Sequence, residues 1–316
     1  MPLNIRNLDL LRLVIETRSV TETASRLRMS QPAVSKAVHQ AEEQLGFALF
    51  VRERGRLVPT VDARALLPEI IRATAAVGVL NRLAEDLQGL HAGIVTLAAA
   101  PVLGNTLAIA AIARLRALHP GVDVVMQTMV NHQVVEAVAD HRVDLGLVLS
   151  PVDDGYTRAR DICTADLVCI VPARHKLAVA EAIGPAELAG HPMISFSRHQ
   201  PIGALIEDAF RAAGVPWRIA VEVTQSVTAC ALVAAGAGIT IVDGFTLISG
   251  LPPGLDSRPF RPRVPIAARL LVPVDRAISR HAEVFTRILD ATVEDQVSAG
   301  RVHAIPSFLP DHPIVS

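Results

Sequence analysis

Residues 19–45, SVTETASRLRMSQPAVSKAVHQAEEQL, leave the N-terminal part of the chain few ways to fold. They read as two short helices joined by a tight turn. Ser19 and Thr21 both qualify as N-cap of the first, and Ser19 with Glu22 has capping-box spacing. Ala24 and Leu27 form its apolar side, and Arg28-Met29 lead to a second cap at Ser30. Pro32 is tolerated in the next helix because first-turn N–H groups have no intrahelical partner. Val34, Val38, Ala41 and Leu45 then recur at helical spacing and form one buried stripe. The opposite face carries Gln31, Pro32, Ser35, Lys36, His39 and Gln40, with no acid before Glu42.

A small, polar, cationic face at a helix N-terminus suits the DNA major groove. Short side chains allow close approach there, Lys and Gln reach base edges, and the helix amides meet phosphate. An ordinary surface helix of a small bundle is the competing reading. Charge favours DNA: residues 1–60 hold nine Arg/Lys against six Asp/Glu, net +3, and the rest holds 21 against 25, net −4.

After Phe50, the segment 51–58 (VRERGRLV) reads as a tight hairpin turned at Gly55. Arg52, Arg54 and Arg56 are candidates for phosphate or minor-groove contact. From Asp62 to about Leu90, apolar residues at Leu66, Ile70, Ala73, Val77, Leu80, Ala84 and Leu87 alternate by four and three. That is a heptad seam with nothing nearby in the same chain to cover it, which predicts a homodimer through this helix. Pro68 is a misfit expected to bend or loosen its first turns.

Beyond Gly93 strands and helices alternate, the pattern of a mostly parallel, doubly wound sheet. Strands are expected at 94–100, 122–127, 143–149, 167–171, 193–196, 221–223, 239–242 and 267–272. The windows 94–113 and 223–242 carry no charge, but their Pro, Gly and polar residues point to domain interior, not membrane spans. Cys163, Cys169 and Cys230 lack ligand-like spacing and read as reduced, buried thiols of a cytoplasmic protein.

Thr23-Ala24-Ser25-Arg26-Leu27, Ser30 through Lys36, Leu45-Gly46, Leu49-Phe50 and Arg52 together resemble the winged helix-turn-helix of LysR-type transcriptional regulators. The later strand–helix order fits that family as well. Two positions depart from it: Lys36 stands where arginine is usual, and Ala63 where a glycine is common. The resemblance implies an all-α winged helix-turn-helix head (1–60), a dimerisation helix and hinge (61–92), and a two-lobed α/β domain like periplasmic binding proteins (93–296). Lobe I would take about 93–165 and 267–296, lobe II about 166–266, and 297–316 would be a tail. Ser30, Gln31, Pro32, Ser35, Lys36, His39, Arg52, Arg54 and Arg56 are the expected DNA contacts.

In such sheets ligands sit beyond the carboxyl ends of the strands. Loops at those ends hold Pro101, Val102, Leu103, Gly104, Gln127, Ser150, Ser195, Ser197, Arg198, His199, Gln200, Thr224, Gln225 and Ser226 as candidate effector contacts, and the resemblance places an effector at the loop after the first strand, the 195–202 segment and the 224–226 turn. Arg198, hydroxyls and free helix amides suit a small anionic or zwitterionic metabolite. The segments 193–198 and 225–230 are similar to the branch that senses diaminopimelate or opines. No cofactor, metal or membrane is expected. Partners are promoter DNA, the effector, a second copy, a homotetramer, and RNA polymerase as a candidate. The rival reading is an α/β enzyme with an incidental helical cap, but no phosphate loop, metal cluster or G-x-S-x-G elbow supports one. A ligand-independent architectural DNA binder is a third reading, and it would leave the two-lobed body without a purpose.

Overall fold

The computed structural model describes residues 5–53, 56–87, 93–151, 155, 157–274 and 277–305. They form two compact units, an N-terminal head with its long helix and a larger C-terminal domain.

The head consists of α1 (Ile5–Thr17), α2 (Val20–Leu27), α3 (Gln31–Leu45), strands β1 (Phe50–Glu53) and β2 (Arg56–Pro59), and α4 (Val61–Leu87). Ser19 caps α2 by accepting the Glu22 N–H at 3.2 Å. The reciprocal half of the expected capping box is replaced: the Glu22 carboxylate pairs with Arg26 at 2.6 Å, one turn on. Arg28, in left-handed conformation with φ 52°, ends α2, and Ser30 opens α3. Leu10, Leu11, Val14, Ile15, Ala24, Val34, Val38, Ala41, Leu49 and Phe50 close one core. Ala63 is fully buried in it, so a small side chain there reflects tight packing. The antiparallel pair β1–β2 is the wing, with Val51 opposite Val58.

Helix α4 runs through Pro68 unbroken. Proline has no N–H to give the carbonyl one turn back, so one ladder bond is missing. The expected seam divides. Leu66 and Ile70 pack into the head's own core, whereas Leu80 is 64% exposed. The side chains of Ala84 and Leu87 lie outside the described residues.

The C-terminal domain follows the order β3 (Ile94–Ala99), α5 (Pro101–Leu103), a π turn (Gly104–Ala108), α6 (Ile109–Leu118), β4 (Asp123–Thr128), α7 (Asn131–Ala139), β5 (Leu145–Leu149) and β6 (Thr157–Pro172). It continues with α8 (Pro185–Leu188), β7 (Met193–Phe196), α9 (Pro201–Ala212), β8 (Ile219–Val223), α10 (Ser226–Ala234) and β9 (Ile239–Asp243). A 3-10 segment (Gly244–Ser249), β10 (Leu255–Pro259), β11 (Pro265–Pro273) and α11 (Arg280–Ser298) complete it.

The strand order is β4-β3-β5-β11-β6-β9-β7-β8, with β10 on β6. Pairing is parallel within β4-β3-β5 and within β8-β7-β9, and antiparallel wherever β6, β10 or β11 takes part. The sheet is therefore mixed rather than mostly parallel. The reason is β6, which pairs with β11 over Thr157–Asp166 and with β9 and β10 from Leu167 onward, so one strand serves both lobes. Its first half was not expected as a strand, because Arg158, Arg160 and Asp161 break the apolar pattern. Those charges are compensated: Arg160 reaches Asp290 at 2.7 Å and Asp161 reaches Arg269 of β11 at 2.6 Å.

Both faces of the lobe I sheet are covered. Val95, Leu97 and Ala99 of β3 join the core with Leu107, Ala111 and Leu115, while Ala98 faces Val134 and Val138 of α7. Gly146 of β5 lies where α7 crosses, and a Cβ there would stand 2.8 Å from a Val138 methyl. The helical run Pro101–Leu118 is long and apolar enough to cross a membrane by composition. Leu103, Leu107, Ala111 and Leu115 bury its apolar face in the domain core instead, and Arg114 pairs with Asp295 at 2.8 Å.

Candidate nucleic-acid interface and effector site

Helix α3 presents Ser30, Gln31, Pro32, Ser35, Lys36 and His39 to solvent, while Val34, Val38 and Ala41 hold its other face in the core. Its first turn carries no acid, and the Ser30 hydroxyl accepts the Ala33 N–H at 3.4 Å. That leaves a positive dipole end beside the Lys36 ammonium, the electrostatics an anion needs. His39 lies 3.5 Å from Glu43, so this imidazole is shared with a carboxylate further along the helix. Arg52 is exposed on β1. Arg54 lies outside the described residues. Arg56 starts β2, but its side chain is likewise undescribed.

The wing is held against α3 by a residue not singled out in the sequence. Glu42 on α3 accepts the backbone N–H of Leu49 at 2.7 Å and of Phe50 at 3.1 Å. Thr60 donates to Ala48 and Leu49 carbonyls and accepts the Ala63 N–H at 3.1 Å, which caps α4.

In the C-terminal domain, three helices start at the carboxyl ends of parallel strands. They are the helical run beginning at Pro101 after β3, α9 after β7, and α10 after β8. None has a side-chain N-cap: Ala100, Gln200 and Gln225 occupy those positions without bonding the first turn. Elsewhere Ser19, Ser30 and Ser279 do cap their helices. Helix amides left open at strand ends are where a carboxylate gains most.

The candidate effector residues divide by burial. Gln127, Arg198, His199, Thr224 and Gln225 are exposed, and Pro101, Val102, Ser150, Ser197 and Gln200 are half-buried. Leu103 and Gly104, expected in a loop, are helical and buried, because the chain turns into helix directly after Ala100. Gly104 passes so near Thr128 of β4 that a Cβ would stand 2.8 Å from its methyl. Ser150 accepts the Ala267 N–H at 3.1 Å, which ties the end of β5 to β11. Ser197 accepts the His199 N–H at 3.4 Å and so shapes the turn into α9.

Ser226 and Ser195 point inward. The Ser226 hydroxyl lies 3.0 Å from the carboxylate of fully buried Asp243. Asp243 also accepts the Thr246 N–H at 3.2 Å, and Ser249 then donates to the Asn105 carbonyl at 2.9 Å. The 3-10 segment Gly244–Ser249 is thus bonded to Asp243 near its start and to the π turn of lobe I at its end. Burial pushes the Asp243 carboxyl up from its ordinary value, and the hydrogen bonds from Ser226 and Thr246 offset part of that. The Ser195 hydroxyl is completely buried with no hydrogen-bond partner among the described residues. No sequence signal distinguished Asp243, since one acid after an apolar strand reads as a turn residue.

Residues 5–64 match the model of the bacterial regulatory helix-turn-helix protein, lysR family, and residues 88–294 match the LysR substrate binding domain. The chain belongs to the LysR family. It is a LysR-type transcriptional regulator with an effector-binding domain, and the enzyme reading falls. The transcriptional activator protein LysR of Escherichia coli K12 is 30% identical over 296 residues, covering 94% of this chain and 95% of that protein. The octopine catabolism/uptake operon regulatory protein OccR of Rhizobium meliloti is 31% identical over 246 residues, 76% of this chain and 80% of that one. Among solved structures, full-length CbnR complexed with its target DNA superposes with a TM-score of 0.72 at 19% identity, covering 92% of this chain and 100% of that chain. At that identity the likeness concerns the LysR fold.

Proposed function

We propose that this LysR-type regulator acts in the cytoplasm and binds dyad promoter sites as a homodimer paired through α4, two dimers forming a tetramer. A small anionic or zwitterionic metabolite would modulate that binding. The observation that carries the DNA reading is the exposed, acid-free first half of α3 with Lys36 at its centre. Ser30, Gln31, Pro32, Ser35, Lys36, His39 and Arg52 are the contacts assigned here, with Arg54 and Arg56 on the wing. The apolar stripe of α4, with Leu80 open to solvent, supports pairing through that helix. A two-fold dimer then presents two α3 helices to the two halves of a dyad site. RNA polymerase is the partner through which such a complex would change transcription.

The effector contacts assigned are the exposed set Gln127, Arg198, His199, Thr224 and Gln225, with the half-buried Pro101, Val102, Ser150, Ser197 and Gln200. Three uncapped helix starts and the Arg198 guanidinium favour a carboxylate. Likeness to OccR, whose name records octopine catabolism, supports an amino-acid or opine effector. The ligand acts by binding one arrangement of the assembly more tightly, a population shift.

Two measurements test this. Affinity for promoter DNA should fall steeply with salt, and Lys36→Ala should reduce the slope of log K against log salt by about one if its ammonium meets phosphate. An unchanged slope removes Lys36 from the interface. A thermal-shift panel on the full chain would set amino acids, diaminopimelate and opines beside aromatic and short-chain acids. A ligand at about 100 times its Kd adds about 2.7 kcal/mol. A shift confined to the amino-acid-like compounds, lost in Arg198→Ala, supports the assignment, and a shift confined to aromatic acids overturns it.

A further inference from the structure

We propose that residues 299–305 form a strap that fixes the angle between the two lobes, pinned at Asp166, and that lobe reorientation requires its release. The inference concerns the hinge of the domain and does not depend on which effector binds.

The hinge is where β6 changes partners, between Asp166 and Leu167. The return crossing, residues 260–264, lies against the same point: the Leu167 N–H donates to the Val264 carbonyl at 3.0 Å, and the Phe260 N–H donates to the Leu167 carbonyl at 3.2 Å. The end of β9 crowds it from another side, since a Cβ on Gly244 would stand 2.8 Å from the Asp166 carbonyl oxygen. Three segments therefore meet at Asp166 before the strap is considered.

The strap is the fourth. Helix α11 belongs to lobe I, packing on α6 and β3 through Phe285 and Leu289. Beyond Ser298 the chain reverses at Gly300, with φ 68°, and runs back over β6. His303 and Thr164 exchange both backbone hydrogen bonds, at 2.9 and 2.7 Å, an isolated antiparallel bridge two residues before the hinge. Val302 beside it is 2% exposed and plugs into the domain core.

Side chains close the junction. Asp166 Oδ2 accepts from Arg263 Nε at 2.7 Å and lies 3.2 Å from His303 Nε2. One carboxylate oxygen thus ties the outgoing strand, the returning crossing and the strap together. Its other oxygen, Oδ1, is buried and has no hydrogen-bond partner among the described residues. Both side-chain bonds therefore fall on one oxygen, and losing either partner leaves it with a single one. A swing of lobe II about residues 166–167 would carry the crossing with Arg263 away from a strap anchored in lobe I. The junction resists that motion.

The test uses the full-length protein. Glu136→Cys on α7 and Val179→Cys, 89% exposed in lobe II, carry a distance-reporting label pair. The native cysteines are all buried and leave the labelling to these two sites. Labelled chains are diluted with unlabelled ones so that only distances within a chain are read. His303→Pro removes the N–H donated to Thr164 together with the imidazole. Arg263→Ala, at an exposed side chain, removes one ion pair and is the safer variant for folding.

The proposal expects both variants to shift or broaden the inter-lobe distance distribution, while Trp217, the single tryptophan, keeps its native emission from lobe II. Faster amide exchange at Thr164 would confirm that the strap has lifted in His303→Pro. A distribution superimposable on the wild type, with Thr164 exchange raised, overturns the proposal and makes the strap a local anchor. If His303→Pro does not fold, Arg263→Ala decides alone, and an unchanged distribution in it overturns the proposal equally.

Discussion

Glu42 and Leu49 are joined by a hydrogen bond of 2.7 Å, the helix carboxylate accepting the N–H just before the wing, with the Phe50 N–H that opens the wing on the same oxygen. Leu49 is fully buried and Phe50 nearly so. Without Glu42, two shielded amides would lose their acceptor. The angle between the wing and α3 therefore depends on one acidic side chain, although the interface itself is cationic.

Glu42→Ala should destabilise the head by about 2–3 kcal/mol, the cost of stranding buried donors, and Glu42→Gln by clearly less because its amide oxygen can still accept. Hydrogen exchange at Leu49 and Phe50 measures this directly. Equal protection in Glu42→Ala and the wild type would show that the bond carries no weight.

Gly146→Ala should cost about 1–3 kcal/mol, an overpacking penalty. The new methyl would stand 2.8 Å from Val138 and 2.9 Å from Val134, so α7 must lift from β5. The thermal midpoint of the C-terminal domain should drop. A midpoint equal to the wild type would mean that α7 yields at no cost.

The three thiols should resist modification in the native protein. Burial pushes Cys163 up to about 12 and Cys230 up to about 11, and raises Cys169 as well. At pH 8 only about one Cys163 in ten thousand is a thiolate, the reactive form. A thiol reagent should count three groups after denaturation and essentially none before it. Rapid native reaction of any of them would show that its thiol is accessible in the folded protein.

Asp243 sets a pH dependence of unusual sign for a carboxyl. Its folded-state value is raised, by burial first, so just above the ordinary carboxyl value the folded protein binds more proton at this group than the unfolded chain does. The stability contributed by this group is full below the unfolded carboxyl value and declines as pH rises above it. Asp243→Asn mimics the protonated form: its oxygen can accept from Thr246 while its amide donates to Ser226. Thermal midpoints from about pH 4 to 8 should show that decline in the wild type and a flatter profile in the variant. Parallel profiles would exclude Asp243 as the origin.

The DNA-binding head was legible in the sequence because its determinants are local. Caps at Ser19 and Ser30, the stripe Val34-Val38-Ala41 and the polar face around Lys36 all lie within 27 residues, and helix periodicity alone sorts inside from outside. The strand–helix alternation of the second domain was legible for the same reason. Leu66 and Ile70 were not: the same heptad pattern serves a partner helix or the chain's own core, and only packing of α4 against α1 in the head core distinguishes the two.

The burial of Ser195 and Ser226 and the charged first half of β6 also needed the tertiary structure. Arg160 and Asp161 read as loop residues until Asp290 and Arg269, over a hundred positions away, supply their counter-charges. The junction at Asp166 is the extreme case. By itself the sequence determined most of the helices and strands, and which face of α3 is free for DNA, because those choices rest on neighbours within a few turns. Tertiary structure alone decided which strand spans both lobes and what meets at the hinge. Those contacts join residues 166, 263 and 303, and no periodicity in a chain encodes a pairing between segments so far apart.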